Sequence, residues 1–544
     1  MADSKSWTRV ESLSEALRFL SKPEHEGKLL GFYNLGFDAQ AILKLDRRVL
    51  PAFLEGYSRV KYGGYVLSYI QGKWLRIRDE ANDASFNYYD FMQYNKGGLD
   101  YAAEAVLGLE PDALKKDRAR LFELYDDATI GAYCQRDAWK AKRLTEVFLD
   151  GMKKDLNFKP KSLLSPGLLA THYVLLNAPK MPKMFDVPLE VNKLYWEAYQ
   201  GADYECFQKG FLEDAWSYDM NSAYPWSLST IPDFRKGFWV QEYAKEGSMG
   251  VFEVLAKSKE GRHDYLPLAG YASKNLKVHP FLDEWARMTI TKGELDAYST
   301  HYDFKVLKGF TWVPKGEESQ PYKEIVEKLY SYKQSKKDNP AAYLAAKPII
   351  NSLYGTTAQR TGKNSIGRLF NPLMACETTA RPKVKVFGDL KGEFGKIATL
   401  DNDGVLANEE LGLETGLGLG EWSVKFKSKE AVVIRNGVMQ VRGERPKTKG
   451  FNGKKEVGSS LVLVDLFKAL NTSRTVLRVP HFAPKHYRKA IQDKDFEGIG
   501  VFETTYSDID LNQDWKRLFE PILEGKDLLK GVFESSPLSF SMFS

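Results

Sequence analysis

Three short stretches of this chain carry side chains whose types and spacing suit chemistry at phosphorus. In Asp219-Met-Asn-Ser-Ala-Tyr-Pro225 an acid ends an apolar run and the chain turns at once, so a carboxylate and newly exposed backbone groups share one corner. Hard cations take oxygen ligands; Asp219 with the adjacent Met220 carbonyl offers two to Mg²⁺, leaving phosphate and water to complete the octahedron. An Asx turn closing an ordinary strand would use the same residues. Asp401 and Asp403 stand two positions apart, which on an extended chain puts both on one side. So close, they repel unless a cation lies between them. With Asp219 opposite, they could hold two ions about 3.5–4 Å apart, the clamp for in-line displacement at phosphorus. Alone, D-N-D-G more often marks just a solvated hairpin tip. Lys347, Asn351 and Tyr354, at offsets of 0, 4 and 7, share one helix face. A cation, an amide and a ring in line suit a nucleotide's phosphates and base. A solvated Lys beside a core Tyr is the plainer alternative, although Asn is a poor mid-helix choice without a task.

Each cluster needs an element to position it. Trp216 to Pro225 reads as a strand entering a turn, and KIATLDNDGVLA (396–407) as a β-hairpin around D-N-D-G. From Glu317 to Tyr354 the pattern is helix, breaker, helix, with Pro340 suited to a first helical position and two antiparallel helices as the economical arrangement. Pro348 removes the donor that would bond Leu344, which predicts a kink or a fresh helix start. Residues 28–45 read as strand, turn and amphipathic helix, and 128–150 as a helix, with Pro160 and Pro166 marking a linker beyond a domain boundary near 155. The hundred residues after Pro225 mix strand-like runs with Gly and Pro punctuation, which predicts an irregular insertion.

At 544 residues the chain exceeds one hydrophobic core, so several domains of α/β and α+β type are expected. No run approaches the roughly 20 apolar residues of a membrane span, and MADSKSWTRVESLSEAL lacks the apolar segment of a secretory signal. Three scattered cysteines (Cys134, Cys206, Cys376) form no zinc-type spacing and suit a reducing cytoplasm. A net charge of +6 permits a polyanionic partner without requiring one. No GxxxxGK[ST] loop occurs, so a P-loop ATPase is unsupported. A glycosidase would need paired carboxylates but has no use for the Lys347–Asn351–Tyr354 face.

Taken together, DMNSAYP, KPIINSLYG and LDNDG resemble motifs A, B and C of the family B DNA polymerases, with 128 residues from Asp219 to Lys347 and 54 from Lys347 to Asp401. AYQGADYECFQKG and KGELDAYSTHYDFKVLKGFTWVPK are similar to segments of the protein-primed branch of viruses and linear plasmids: the joint between exonuclease and palm, and the end of the insertion that contacts the terminal protein. The resemblance runs from about Lys28 to Val457. It implies a right-hand polymerase of palm, fingers and thumb behind an N-terminal RNase H-like, exonuclease-type domain. It also implies two Mg²⁺ ions, replaceable by Mn²⁺, on Asp219, Met220 and Asp403, with Asp401 in support.

By the same resemblance Tyr224 lies under the incoming sugar and excludes a 2′-hydroxyl, Lys347 binds the triphosphate, and Asn351 and Tyr354 line the nascent base pair. Lys333 and Lys336 compete for the second phosphate-binding position. Tyr199, Gly201, Ser222, Arg381, Lys447 and Lys449 fall at DNA-contacting positions. Motif C departs from the family at Thr399 and Gly404, neither a metal ligand, and AVVIRNGVMQV lacks the usual Lys-x-Tyr primer contact.

Asn34-Leu-Gly-Phe-Asp38 and Tyr133-Cys-Gln-Arg-Asp137 resemble the second and third motifs of the family's 3′–5′ exonuclease. The first, Asp-x-Glu, has no counterpart: Asp3-Ser-Lys5 does not replace it, and the chain is expected to begin after that strand, leaving the exonuclease absent or impaired. The resemblance divides the chain into an exonuclease-like domain (1–155), palm (156–235), terminal-protein-contacting insertion (236–314), fingers (315–365), palm (366–456) and thumb (457–544). Its partners would be primer-template DNA, dNTPs and a terminal protein. The protein would act as a monomer, without a membrane, in the cytoplasm of a prokaryotic host to a virus or mobile element. The alternative is a catalytically weak or inactive relic that only binds DNA, although such a relic would be free to lose the three acids retained here.

Overall fold

The structure is a computed structural model that describes residues 1–95, 97–114, 120–178, 180–261, 265–273, 276–335, 338–361, 365–449, 461, 463–464, 476–510, 516–519 and 532–542. Lys336 of the expected fingers and parts of the expected thumb (457–460, 462, 465–475, 511–515, 520–531, 543–544) lie outside the described residues. The chain forms two compact units: Met1–Asn177 with Lys328–Leu353 and Phe482–Thr505, and Ala178–Glu327 with Tyr354–His481 and Tyr506–Ser544.

In the first unit a five-stranded sheet runs, edge to edge, Leu30–Phe32, Ala84–Asp90, Trp74–Asp79, Tyr65–Ile70, Val60–Tyr62. The first pair is parallel and the others antiparallel. Gly63-Gly64, with Gly63 at φ +56, makes the tight turn that lets Tyr62 pair Tyr65. Alternate residues Leu75, Ile77, Phe86 and Tyr88 join one core with Leu13, Ala16, Leu17 and Leu20 of the helix Leu13–Leu20, whose i, i+3, i+4, i+7 spacing gives it one apolar stripe. The predicted strand and helix of 28–45 are Leu30–Phe32 and Leu35–Leu43. The predicted helix of 128–150 is Asp127–Lys154, capped where Asp126 accepts the Thr129 N–H at 2.7 Å. Gly151 of that helix lies against the Ala341 carbonyl so closely that a Cβ would come within 2.2 Å of its oxygen. Residues 482–505 belong to this unit: the Tyr487 N–H bonds Gln40 Oε1 at 3.0 Å.

The helices predicted over 317–354 are Lys323–Gln334 and Pro340–Thr357, the second opening on Pro340. It continues through Pro348, so the fresh start predicted there does not occur. Ala345, Ala346, Ile349 and Ile350 around it are all fully buried, and their packing offsets the lost hydrogen bond.

The second unit is built on a sheet with the order Lys447–Thr448, Val438–Val441, Trp422–Arg435, Gln208–Met220, Gly404–Ala407, Ile397–Asp401, Tyr204–Cys206, and Val532–Pro537 also pairs the long central strand. The helix Pro372–Asp389 packs with Leu189–Ala198 and Ala223–Thr230; residues from Pro372 to Ala380 are all buried. The insertion after Pro225 is regular rather than irregular. Gly237–Val240, Met249–Ser258, Ala286–Thr291 and Tyr302–Pro314 form a four-stranded antiparallel sheet whose pairings span tens of residues.

Candidate active site

Asp219 is the penultimate residue of Gln208–Met220, paired with Gly404 on one side and Ser423 on the other. The Met220 N–H donates to the Asp403 carbonyl at 2.8 Å, which draws the hairpin turn against the end of the central strand. A Cβ at Gly404 would sit 3.4 Å from Asp219 Oδ1, so glycine admits that carboxylate at close range where a larger residue would crowd it. The predicted hairpin is present, closed by the Asp401–Gly404 pair. Its acids are not on an extended chain, however. Asn402 has φ +58 and the Asp403 N–H donates to the Asp401 carbonyl at 2.7 Å, so a three-residue turn, not strand alternation, sets their directions.

The carboxylates feel one another. Burial, then Asp219, and least Asp401 push the Asp403 carboxyl up to about 6, against a hydrogen bond from the Asn402 side chain that pulls it down. Crowded acids with oxygen-only ligands fit divalent cations such as Mg²⁺; Asp219, Asp403 and the Met220 carbonyl would hold them. Lys425 Nζ salt-bridges Asp219 Oδ2 at 2.9 Å, and Lys447 Nζ lies 4.0 Å from Asp401 Oδ2.

Beside the acids, the Tyr224 and Tyr354 rings stack at a tilt, centroids 4.2 Å apart. Tyr224 rises from the first turn of Ala223–Thr230, whose cap Ser222 takes a left-handed conformation at φ 52. The Tyr224 hydroxyl donates to Asn402 Oδ1 at 3.1 Å. Arg381 is engaged internally: its guanidinium bonds Glu377 at 3.0 Å and the Thr230 carbonyl at 3.1 Å, tying Pro372–Asp389 to Ala223–Thr230. Tyr199 stacks on Trp196, and the Gly201 carbonyl accepts from Lys277 at 2.9 Å. Lys449 lies over the Tyr204 ring at 4.6 Å. On the helix Pro340–Thr357, Lys347, Asn351 and Tyr354 occupy the less buried side, opposite Ile349, Ile350 and Leu353, and Lys347 Nζ donates to the Tyr343 hydroxyl at 2.6 Å. Lys333 falls in the last turn of Lys323–Gln334.

Sequence reasoning missed Lys425, Asn402 and Asp203. The alternation of lysines in WSVKFKSK is a signal for the first. Asn402, to which the sequence alone assigns no role, is 6% exposed and bonded at both backbone and side chain. The buried Asp203 accepts the Asn402 N–H on its carbonyl at 2.7 Å, and its carboxylate meets Lys277, Lys383 at 3.2 Å and His279 at 3.5 Å. Burial opposes ionisation, but Lys383, His279 and Lys277 outweigh it and hold this carboxyl well below the usual range. Partners so distant in sequence leave no local trace.

In the first unit, Asn34 caps Leu35–Leu43 at φ 71, and its N–H donates to Asp90 Oδ1 at 3.0 Å. Asp38 sits in the first turn of that helix. Tyr133, buried among Leu121 and Ile130, lies one turn before Asp137 on Asp127–Lys154, the helix that packs on the strand Leu30–Phe32. These residues therefore belong to elements flanking one sheet edge.

Residues 126–367 match the family described as DNA polymerase type B, organellar and viral. A probable DNA polymerase of Neurospora intermedia is 26% identical over 152 residues, which span 26% of this chain and only 15% of that protein. Among solved structures, Phi29 DNA polymerase with primer-template DNA and incoming nucleotides has a TM-score of 0.64 at 15% identity, covering 92% of this chain and 93% of that one. The orthorhombic form of Phi29 DNA polymerase gives 0.62 at 16% identity with the same coverage. The multidomain α/β architecture expected from the sequence, a right-hand polymerase with an exonuclease-type domain, is thus the fold observed. The matched segment of this chain, residues 126–367, is thus similar to the type B DNA polymerases of the organellar and viral kind, and the fold is similar to that of Phi29 DNA polymerase.

Proposed function

We propose that this chain is a template-directed DNA polymerase that adds dNTPs to a 3′-hydroxyl by a two-metal mechanism. The observation that carries this is the convergence of Asp219 with the 401–404 turn, where Asp219 pairs with Gly404 and the Met220 N–H donates to the Asp403 carbonyl, next to the stacked Tyr224–Tyr354 pair. Mg²⁺ there, or Mn²⁺ in its place, would lower the pKa of the attacking hydroxyl and neutralise charge on the leaving pyrophosphate. Asp219, Met220 and Asp403 supply the ligands and Asp401 supports the second carboxylate. Tyr224 lies under the sugar, while Tyr354 and Asn351 line the base pair. Lys347, with Lys333 or Lys336, binds the triphosphate. Tyr199, Gly201, Ser222, Arg381, Lys447 and Lys449 are assigned to the DNA.

The polymerases of the Phi29 structures bind primer-template DNA and nucleotides, which supports the same substrates here. Initiation on a terminal protein, monomeric action, an impaired exonuclease and the domain limits given above belong to this proposal. So does a setting in the cytoplasm of a host to a virus or mobile element; the organellar breadth of the family extends it to organelles. Among the described residues no helix is long and apolar enough to cross a membrane. The test is primer extension with Mg²⁺ and dNTPs: wild type should extend and Asp219→Ala should not, and equal extension by both would refute the assignment.

A further inference from the structure

Asn402 occupies the middle of the turn between Asp401 and Asp403, where a spacer would suffice, yet nothing about it is free. Its backbone is fixed by the N–H bond to the Asp203 carbonyl at 2.7 Å, and Asp203 is itself locked by Lys383 and His279 at 3.2 and 3.5 Å. Its φ of +58 is a conformation that asparagine and glycine tolerate and most residues do not. Its side chain is engaged as well: Oδ1 accepts the Tyr224 hydroxyl at 3.1 Å.

The Tyr224 ring is therefore held on two sides: by Tyr354 across its face, centroids 4.2 Å apart, and by Asn402 at its hydroxyl. A side chain that discriminates sterically works only as well as its position is held, because a ring free to tilt yields room for one extra hydroxyl. We infer that Asn402 is a specificity-determining positioning residue: by gripping the Tyr224 hydroxyl it sets the selection of deoxyribose over ribose. This rests on the polymerase reading and on Tyr224 facing the incoming sugar.

The test compares single insertions of a matched dNTP and its rNTP on one primer-template, reading the ratio of the two kcat/KM values. Any loss of turnover common to both sugars cancels in that ratio. Tyr224→Phe deletes the hydroxyl without touching the turn, and Asn402→Gly deletes the amide while keeping a residue at ease at φ +58. Each should lower the ratio roughly fivefold, the equivalent of one ordinary hydrogen bond, with the change concentrated in the KM of the rNTP. The double variant should fall no further than either single one. An unchanged ratio in Tyr224→Phe, or a double variant equal to the product of the singles, overturns the inference while leaving the polymerase reading standing. Failure of wild type to insert any dNTP overturns both.

Discussion

Replacing Asp403 by Asn should make the protein more stable while abolishing its proposed activity, and the size of the gain can be worked from the site. The Asp403 carboxyl titrates at about 6 in the fold against 3.8 unfolded, because burial and Asp219 both disfavour its charge. At about 1.4 kcal/mol per pH unit, the ionised form costs the metal-free fold about 3 kcal/mol. The folded value lies above the unfolded one, so this cost is absent below pH 3.8, grows as pH rises and is complete above about 6. Asn is close in shape to the protonated acid and removes the term. In EDTA at pH 8 the variant should melt roughly 5 °C above wild type, a difference that shrinks towards zero near pH 4. Saturating Mg²⁺ should narrow the gap by stabilising wild type alone. Thermal unfolding at several pH values, with EDTA and with Mg²⁺, measures all of this. A variant no more stable than wild type at pH 8 without metal, or a gap independent of pH, would refute the electrostatic account of the site.

In primer extension the same Asp403→Asn variant should lose orders of magnitude in turnover, since each ion needs both carboxylates; appreciable extension would contradict the two-metal assignment. Tyr224→Ala or Tyr224→Val should raise ribonucleotide incorporation with only modest loss of dNTP use, and sequencing of alkali-labile sites in the products would reveal unchanged discrimination if the gate lies elsewhere. Only 45 residues separate Gly355 from Asp401, and the helix Pro372–Asp389 takes up much of that span, leaving little room for an insertion that encircles DNA. Strand displacement and processivity should be weak, and long products on primed single-stranded circles with trap DNA present would show otherwise. A 3′-labelled mismatched primer with Mg²⁺ or Mn²⁺ and no dNTPs should keep its label, because hydrolysis needs a water held between two ions and the Asp-x-Glu ligands have no counterpart in the sequence. Rapid loss of label, abolished by Asp38→Ala and Asp137→Ala, would mean that another residue replaces them.

Local signals were the legible ones. The strand and helix at 30–43, the hairpin at 397–407 and the helix opening on Pro340 all follow from periodicity and turn chemistry within a few residues. At Pro348 the helix makes no fresh start, because the burial of its neighbours offsets the local cost of proline. The sheet of the insertion escaped because Met249–Ser258 pairs with Tyr302–Pro314, a partner no window of residues contains. At the site, acids and rings declared themselves by type and order. Asn402 did not, since an Asn in a turn is ordinary, and its importance lies in what two other segments bring to it.

The buried charge cluster has a consequence for exchange between relatives. Asp203, Lys277, His279 and Lys383 come from three separate stretches of one unit, and the turn that carries Asp403 hangs from the Asp203 carbonyl. Lys277 lies in the strand Leu276–Val278 and His279 directly follows it, inside the segment that sequence comparison would treat as a removable insertion. Cutting that segment out, or grafting one from a relative without a matching cation, leaves Lys383 alone of these partners to compensate the buried Asp203 carboxylate, at a cost in stability. The turn bearing Asp403 would shift with it. What looks like a detachable module is therefore one half of a lock, and it can be transplanted only together with its key.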